Sequence, residues 1–105
     1  MSGDDATQHF VGVYFATDGV DAHLDEWWLL NVALGDAIAR SGSGEFDGHC
    51  DEGDEQAVLA YGPDAEQLFS VMEPVVGAFP ARPARVVFRF GDVDDDEALE
   101  REFLL

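Results

Sequence analysis

The chain has 105 residues, 47% hydrophobic and 11% aromatic, which is enough for one compact domain around a single core and too little for two. Its 23 acidic residues face 5 basic ones, all arginine, for a formal net charge of −18. Such a field repels polyanions, so nucleic acid and anionic membrane are excluded as expected partners, whereas a basic protein or a cation is electrostatically acceptable.

Residues 1–8, MSGDDATQ, read as a flexible N-terminus. They are acidic where a secretory leader needs positive charge and an apolar stretch, and no apolar run reaches about 18 residues. The expectation is a soluble, cytoplasmic protein. HFVGVYFA, residues 9–16, is aromatic and β-branched and too short for a globular helix, so it reads as a strand. TDGVDA then supplies a turn. Over 24–40 the pattern becomes helical, with Trp27, Leu30, Leu34 and Ile38 on one face, Asp25 and Glu26 in the first turn, Arg40 in the last and SGSG as the stop.

GEFDGHCDEGDE, residues 44–55, followed by QAVLAYG, reads as a hairpin turning at Gly53-Asp54. Glu52 then faces Glu55, Cys50 lies opposite Ala57, His49 opposite Val58 and Phe46 opposite Tyr61. Alternation assigns Phe46, Gly48, Cys50, Ala57, Leu59 and Tyr61 to the helix-covered face. Asp47, His49 and Asp51 point the other way, beside Val58 and Ala60. Cys50 is expected to be a small core hydrophobe, and as the only cysteine it allows no internal disulfide and no multi-thiolate zinc site within one chain.

GPDAEQ opens a second helix, with Asp64 as N-cap and Gln67 at the capping-box position. Leu68, Met72 and Val75 share its apolar face, Val71 and Phe79 lie alongside, and Pro74 within it predicts a kink or a loosened last turn. PARP keeps the exit extended, ARVVFRF at 84–90 reads as the last strand, and GDVDDDEALEREFLL as an acidic turn followed by a short amphipathic helix with Leu99 and Phe103 four apart.

The order strand, helix, strand, strand, helix, strand predicts an α+β fold of the ferredoxin-like βαββαβ type over residues 9–91. Its four-stranded antiparallel sheet carries both helices on one face, with the first and third strands central. Residues 92–105 form the acidic turn and C-terminal segment.

No constellation of catalytic residues stands out. The chain lacks a nucleophile elbow, an H-E-x-x-H pair and a phosphate loop. His49 and Cys50, adjacent on a strand, diverge and cannot share a proton or an ion. Asp47, His49 and Asp51 are spaced about 7 Å apart along one strand, wide for one ion. From Asp92 the spacing of Asp92, Asp94 and Asp96 fits a calcium loop, but Glu97 stands where glycine is needed and Phe103 where a bidentate glutamate should close the site. The expectation is no metal, no cofactor and no catalytic residue.

Two surfaces carry surplus apolar groups: the first helix, with Trp28, Leu29, Val32 and Ala33 outside its buried stripe, and the uncovered sheet face. The candidate interaction or ligand residues are Phe10, Tyr14, Trp28, Val32, His49, Val58, Val87 and Arg89. GEFDGH followed by YGPDAEQLFSVMEPVV resembles a set of small, uncharacterised bacterial proteins over residues 24–91. That resemblance implies a ferredoxin-like domain and hands over no catalytic residues. The leading expectation is a non-enzymatic interaction or regulatory domain, either homodimeric or bound to a basic protein in the manner of an inhibitor or immunity protein. The alternative is a dimeric α+β-barrel-like enzyme or apolar-ligand binder, with Tyr14, His49 and Arg89 as its suspect groups.

Overall fold

A computed structural model describes residues 8–81, 83–91 and 97–105. The elements run β1 (His9–Ala16), α1 (Thr17–Asp21), α2 (Leu24–Ser41), β2 (Glu45–Asp51), β3 (Glu55–Gly62), α3 (Ala65–Gly77), β4 (Arg85–Arg89) and β5 (Glu100–Leu104). All sheet pairings are antiparallel, and the strand order is β2-β3-β1-β4-β5. The architecture is α+β, with β1 in the middle of five strands and helices packed on one face.

Each helix forms where its local chemistry permits. Trp27, Leu30, Leu34 and Ile38 are the buried residues of α2, the stripe that the 3.6-residue period marks. Its left-handed C-cap, Gly42, returns its amide to the Ile38 carbonyl at 3.1 Å. Asp64 caps α3 by accepting from the amides of Glu66 and Gln67 at 3.1 and 3.2 Å. His9 adds a cap from outside the helix, its Nδ1 accepting from the Ala65 amide at 3.1 Å. α3 continues through Pro74 to Gly77, burying Ala65, Leu68, Phe69, Met72 and Val76. The TDGVDA segment is the five-residue helix α1, not a turn alone, anchored by buried Val20.

The core lies between α2, α3 and one sheet face built from Val11, Val13, Phe15, Val58, Ala60, Val86 and Phe88. Aromatic rings close both ends of it by edge-to-face contact. Phe15, Trp27 and Phe79 meet at centroid distances of 5.0 to 5.8 Å at one end, and Phe69, Phe88 and Phe103 at 5.4 to 5.7 Å at the other.

Three expectations about the strands also need correction. The first concerns the C-terminal segment: 100–104 is a fifth strand paired with β4 and not a helix, so β4 is no longer an edge. A helix this short forms only where tertiary packing holds it, as buried Val20 does for α1, whereas the edge of β4 offers unpaired amides and carbonyls at once. Alternation in β5 suits this, because Phe103 pairs with Val86 and covers Phe69 and Phe88 while Glu100 and Glu102 fall on the opposite side, beside Arg89 and Arg85.

The second concerns the faces of β2 and β3. Directly paired residues of an antiparallel sheet share a face, and Val58 and Ala60 pair with Val13 and Val11. They therefore belong to the core, and Val58 is fully buried. Ala57, Leu59 and Tyr61, paired with Tyr14, Gly12 and Phe10, occupy the open face together with Cys50. Cys50 is not a core hydrophobe, and His49 lies on the helix side. The third is a bulge: pairing holds as expected from Cys50↔Ala57 to His49↔Val58, then shifts between Phe46 and Gly48, so that Phe46 meets Ala60 and not Tyr61. Gly48 at φ +90° makes this shift possible, and it returns Phe46 to the core side. The expected turn at Gly53-Asp54 is present, with Gly53 at φ +82° and the Glu52 amide donating to the Glu55 carbonyl at 2.8 Å.

Candidate functional site

Two surfaces stand out, one on each side of the sheet. The first is the outer face of α2. Trp28, Leu29 and Val32 are 50%, 68% and 71% exposed, and at positions i, i+1 and i+4 they form one contiguous apolar patch. Asp25 borders it one turn before and Asp36 one turn after, Asp36 being paired with Arg40. The Arg40 guanidinium lowers the Asp36 carboxyl below its ordinary pKa, chiefly by hydrogen bonding. Trp28 is steadied by its edge-to-face contact with His49 at 5.1 Å, and His49 also meets the buried Trp27 at 6.1 Å.

On its α3 side the patch runs into a groove of about 370 Å³, lined by Leu29, Leu30, Ala33, Val75, Ala78 and Phe79 with Glu26 as the charged member. The bland alternative, that an exposed apolar residue is simply normal, holds for single residues scattered over a surface. It does not account for four apolar residues of one helix, Leu24 included, exposed by about half or more.

The second surface is the open sheet face. Three rows cross it: Cys50, Ala57, Tyr14, Arg85, Leu104; then Gly48, Leu59, Gly12, Val87, Glu102; then Glu45, Tyr61, Phe10, Arg89, Glu100. At the centre, the rings of Phe10 and Tyr14 lean over Gly12, where a Cβ would lie 2.8 and 2.9 Å from them. Phe10 and Tyr61 are 5.5 Å apart, and the Arg85 guanidinium sits 4.3 Å above the Tyr14 ring. Arg85 also holds Glu55 at 2.6 Å and Glu102 at 3.5 Å, while Arg89 holds Glu100 at 2.9 Å. The aromatic and arginine side chains enclose a shallow hollow of about 410 Å³.

Ionisation of the thiol and the two phenols on this face is suppressed. Burial pushes the Cys50 thiol up to about 11, helped by its 3.1 Å hydrogen bond to Glu52. Burial likewise raises the Tyr14 and Tyr61 phenols, with nearby negative groups adding to the effect. A thiol in this setting is a poor nucleophile at neutral pH.

The structure sorts the sequence candidates clearly. Phe10, Tyr14, Val87 and Arg89 share the open face. Trp28, Val32 and His49 lie on the helix side, and Val58 is inside the core and available to neither surface. The group Tyr14, His49 and Arg89 does not converge, because His49 is on the opposite side of the sheet from the other two. Missed from the sequence were Leu59 and Tyr61, whose face assignment needed the β1 pairing, and Arg85, which alternation with Val87 and Arg89 could have placed there. Among the described residues, no three His, Cys, Asp or Glu side chains come together as a metal site, and the acidic run 92–96 lies outside those residues. No described helix is long and apolar enough to cross a membrane. Comparison with models of protein families, with curated proteins and with solved structures finds no match.

Proposed function

We propose that this chain is a non-enzymatic protein-interaction domain, a ferredoxin-like plait widened by a fifth strand, that captures a basic partner on the outer face of α2. The plait reading is supported by the order β2-β3-β1-β4 of the first four strands. The observation that carries the function is the exposed cluster Trp28, Leu29 and Val32, bordered by Asp25 and Asp36 and opening into an apolar groove with Glu26 on its wall. An amphipathic segment fits this chemistry, with apolar residues against Leu29 and Val32 and cations over the acidic border. A net charge of −18 steers such a partner from a distance and rejects acidic ones.

The test is titration with a cationic amphipathic helical peptide, read by the emission of Trp28 and by calorimetry. The expected result is saturable binding that weakens as salt is raised and that Leu29→Glu or Val32→Glu weakens by about tenfold or more. Binding indifferent to both substitutions would place the partner elsewhere, and no binding by this peptide or by any basic protein retained from lysate at low salt would end the reading.

A further inference from the structure

We infer that the partner of α2 is a helix lying antiparallel to it, with its cations gathered in its own last turn. This rests on the reading of α2 as the capture surface for a basic segment, and adds which kind of segment it is and which way round it runs. The shape of the groove selects a helix. Leu29, Leu30 and Ala33 of α2 form one wall, and Val75, Ala78 and Phe79 at the end of α3 form the other, so a third helix can settle between two that are already packed. Asp25 and Asp36 stand about 17 Å apart along the axis, the length of a helix of about 12 residues.

Charge along that length is one-sided. At the C-terminal end Asp36 is neutralised by Arg40. At the N-terminal end Asp25 and Glu26 are both exposed, and among the described residues neither meets an arginine. Glu26 has the His23 imidazole at 3.8 Å, beyond hydrogen-bond reach, so its carboxylate can accept from a partner. Asp21, exposed at the end of α1, adds charge of the same sign just ahead of α2.

Partner cations therefore collect at the start of α2. A parallel helix could bring them there on its first turn, an antiparallel helix on its last. The macrodipoles decide between the two. Cations favour the last turn of a helix and oppose the first, and antiparallel packing sets the partner's negative end beside the positive end of α2. The partner's first turn then rests by the neutral pair Asp36 and Arg40. A large apolar side chain that enters the groove opposite Leu29 and Ala33 is followed three or four residues later by the cation that reaches Glu26.

The test uses the full chain, isotope-labelled for NMR, and two amphipathic peptides of about 14 residues and identical composition, with arginines in the last turn of one and the first turn of the other. Each carries a nitroxide at its C-terminal end. The last-turn peptide should bind about fivefold or more tighter at low salt. Its nitroxide should broaden the amide signals of Leu24 to Trp28 more than those of Asp36 to Arg40. Last-turn cations also make a peptide a better helix in free solution, so the protein's share is read from substitutions. Asp25→Asn with Glu26→Gln should cut the preference below about twofold, whereas Asp36→Asn should leave it at least as strong, with circular dichroism reporting an intact fold in both. An equal or inverted preference, a preference that survives the double substitution, or broadening at the Asp36 end would each overturn the inference. If Leu29→Glu still weakens binding in those cases, α2 stands as the capture surface. No binding of either peptide, or binding indifferent to Leu29→Glu, would end that reading and the inference with it.

Discussion

Cys50 shows how one pairing changes the chemistry of a residue. Opposite Ala57 and on the row of Tyr14, it lies among acidic groups and donates its thiol hydrogen to Glu52 at 3.1 Å. Its folded-state pKa of about 11 is above the unfolded value near 9, so the proton is held more tightly in the native state. The associated stability is fully present below about pH 9 and is lost as pH rises through about 11. The raised Tyr14 and Tyr61 phenols act in the same direction. Two measurements follow from this. Alkylation of Cys50 by iodoacetamide at pH 8 should run at least about tenfold slower than for an unperturbed thiol, and the alkaline fall in melting temperature should be shallower in Cys50→Ala. A reaction rate equal to that of a free cysteine peptide would contradict the half-buried, hydrogen-bonded thiol.

Among the elements, the two long helices were legible, α1 was not, and the sheet was only partly so. The stripe Trp27, Leu30, Leu34, Ile38 and the Asp64 cap were recoverable because a helix repeats its apolar signal over several turns. β3 offers no such signal: Ala57, Val58, Leu59, Ala60 and Tyr61 are apolar on both sides, so alternation cannot choose a face. Only the long-range partner decides, and Val13↔Val58 decides it. The open-face site was misread for this reason, with Val58 included and Leu59 and Tyr61 left out. The bulge was invisible as well, since nothing before Gly48 distinguishes a positive-φ glycine from an ordinary one. β5 escaped because five residues carry too short a period to tell helix from strand, and its defining contacts, Phe103 on Phe69 and Phe88, lie far back in the chain. Phe103→Ala should therefore cost about 2 kcal/mol in chemical denaturation, less than a fully buried phenylalanine because the ring is half-covered. A loss under about 0.5 kcal/mol would mean that β5 is held by its ladder and ion pairs alone.

For the whole molecule, charge is the dominant long-range term. With −18 formal charges on 105 residues, folding concentrates mutual repulsion that the unfolded chain dilutes. The ion pairs relieve little of it, because most involve an exposed partner. Raising NaCl from 0.05 to about 1 M shrinks the screening length from more than 10 Å to about 3 Å, so the melting temperature should rise by several degrees. A flat or falling profile would show that the local pairs outweigh the net field. The molecule is also thin, its shortest dimension being 19 Å, one helix layer on one sheet layer. Its two apolar surfaces consequently lie on opposite broad sides, and occupying one leaves the other free. Such a plate can be probed one broad side at a time: on the proposed reading of α2, a basic segment held there would leave Cys50, on the far side of the sheet, as reactive as before.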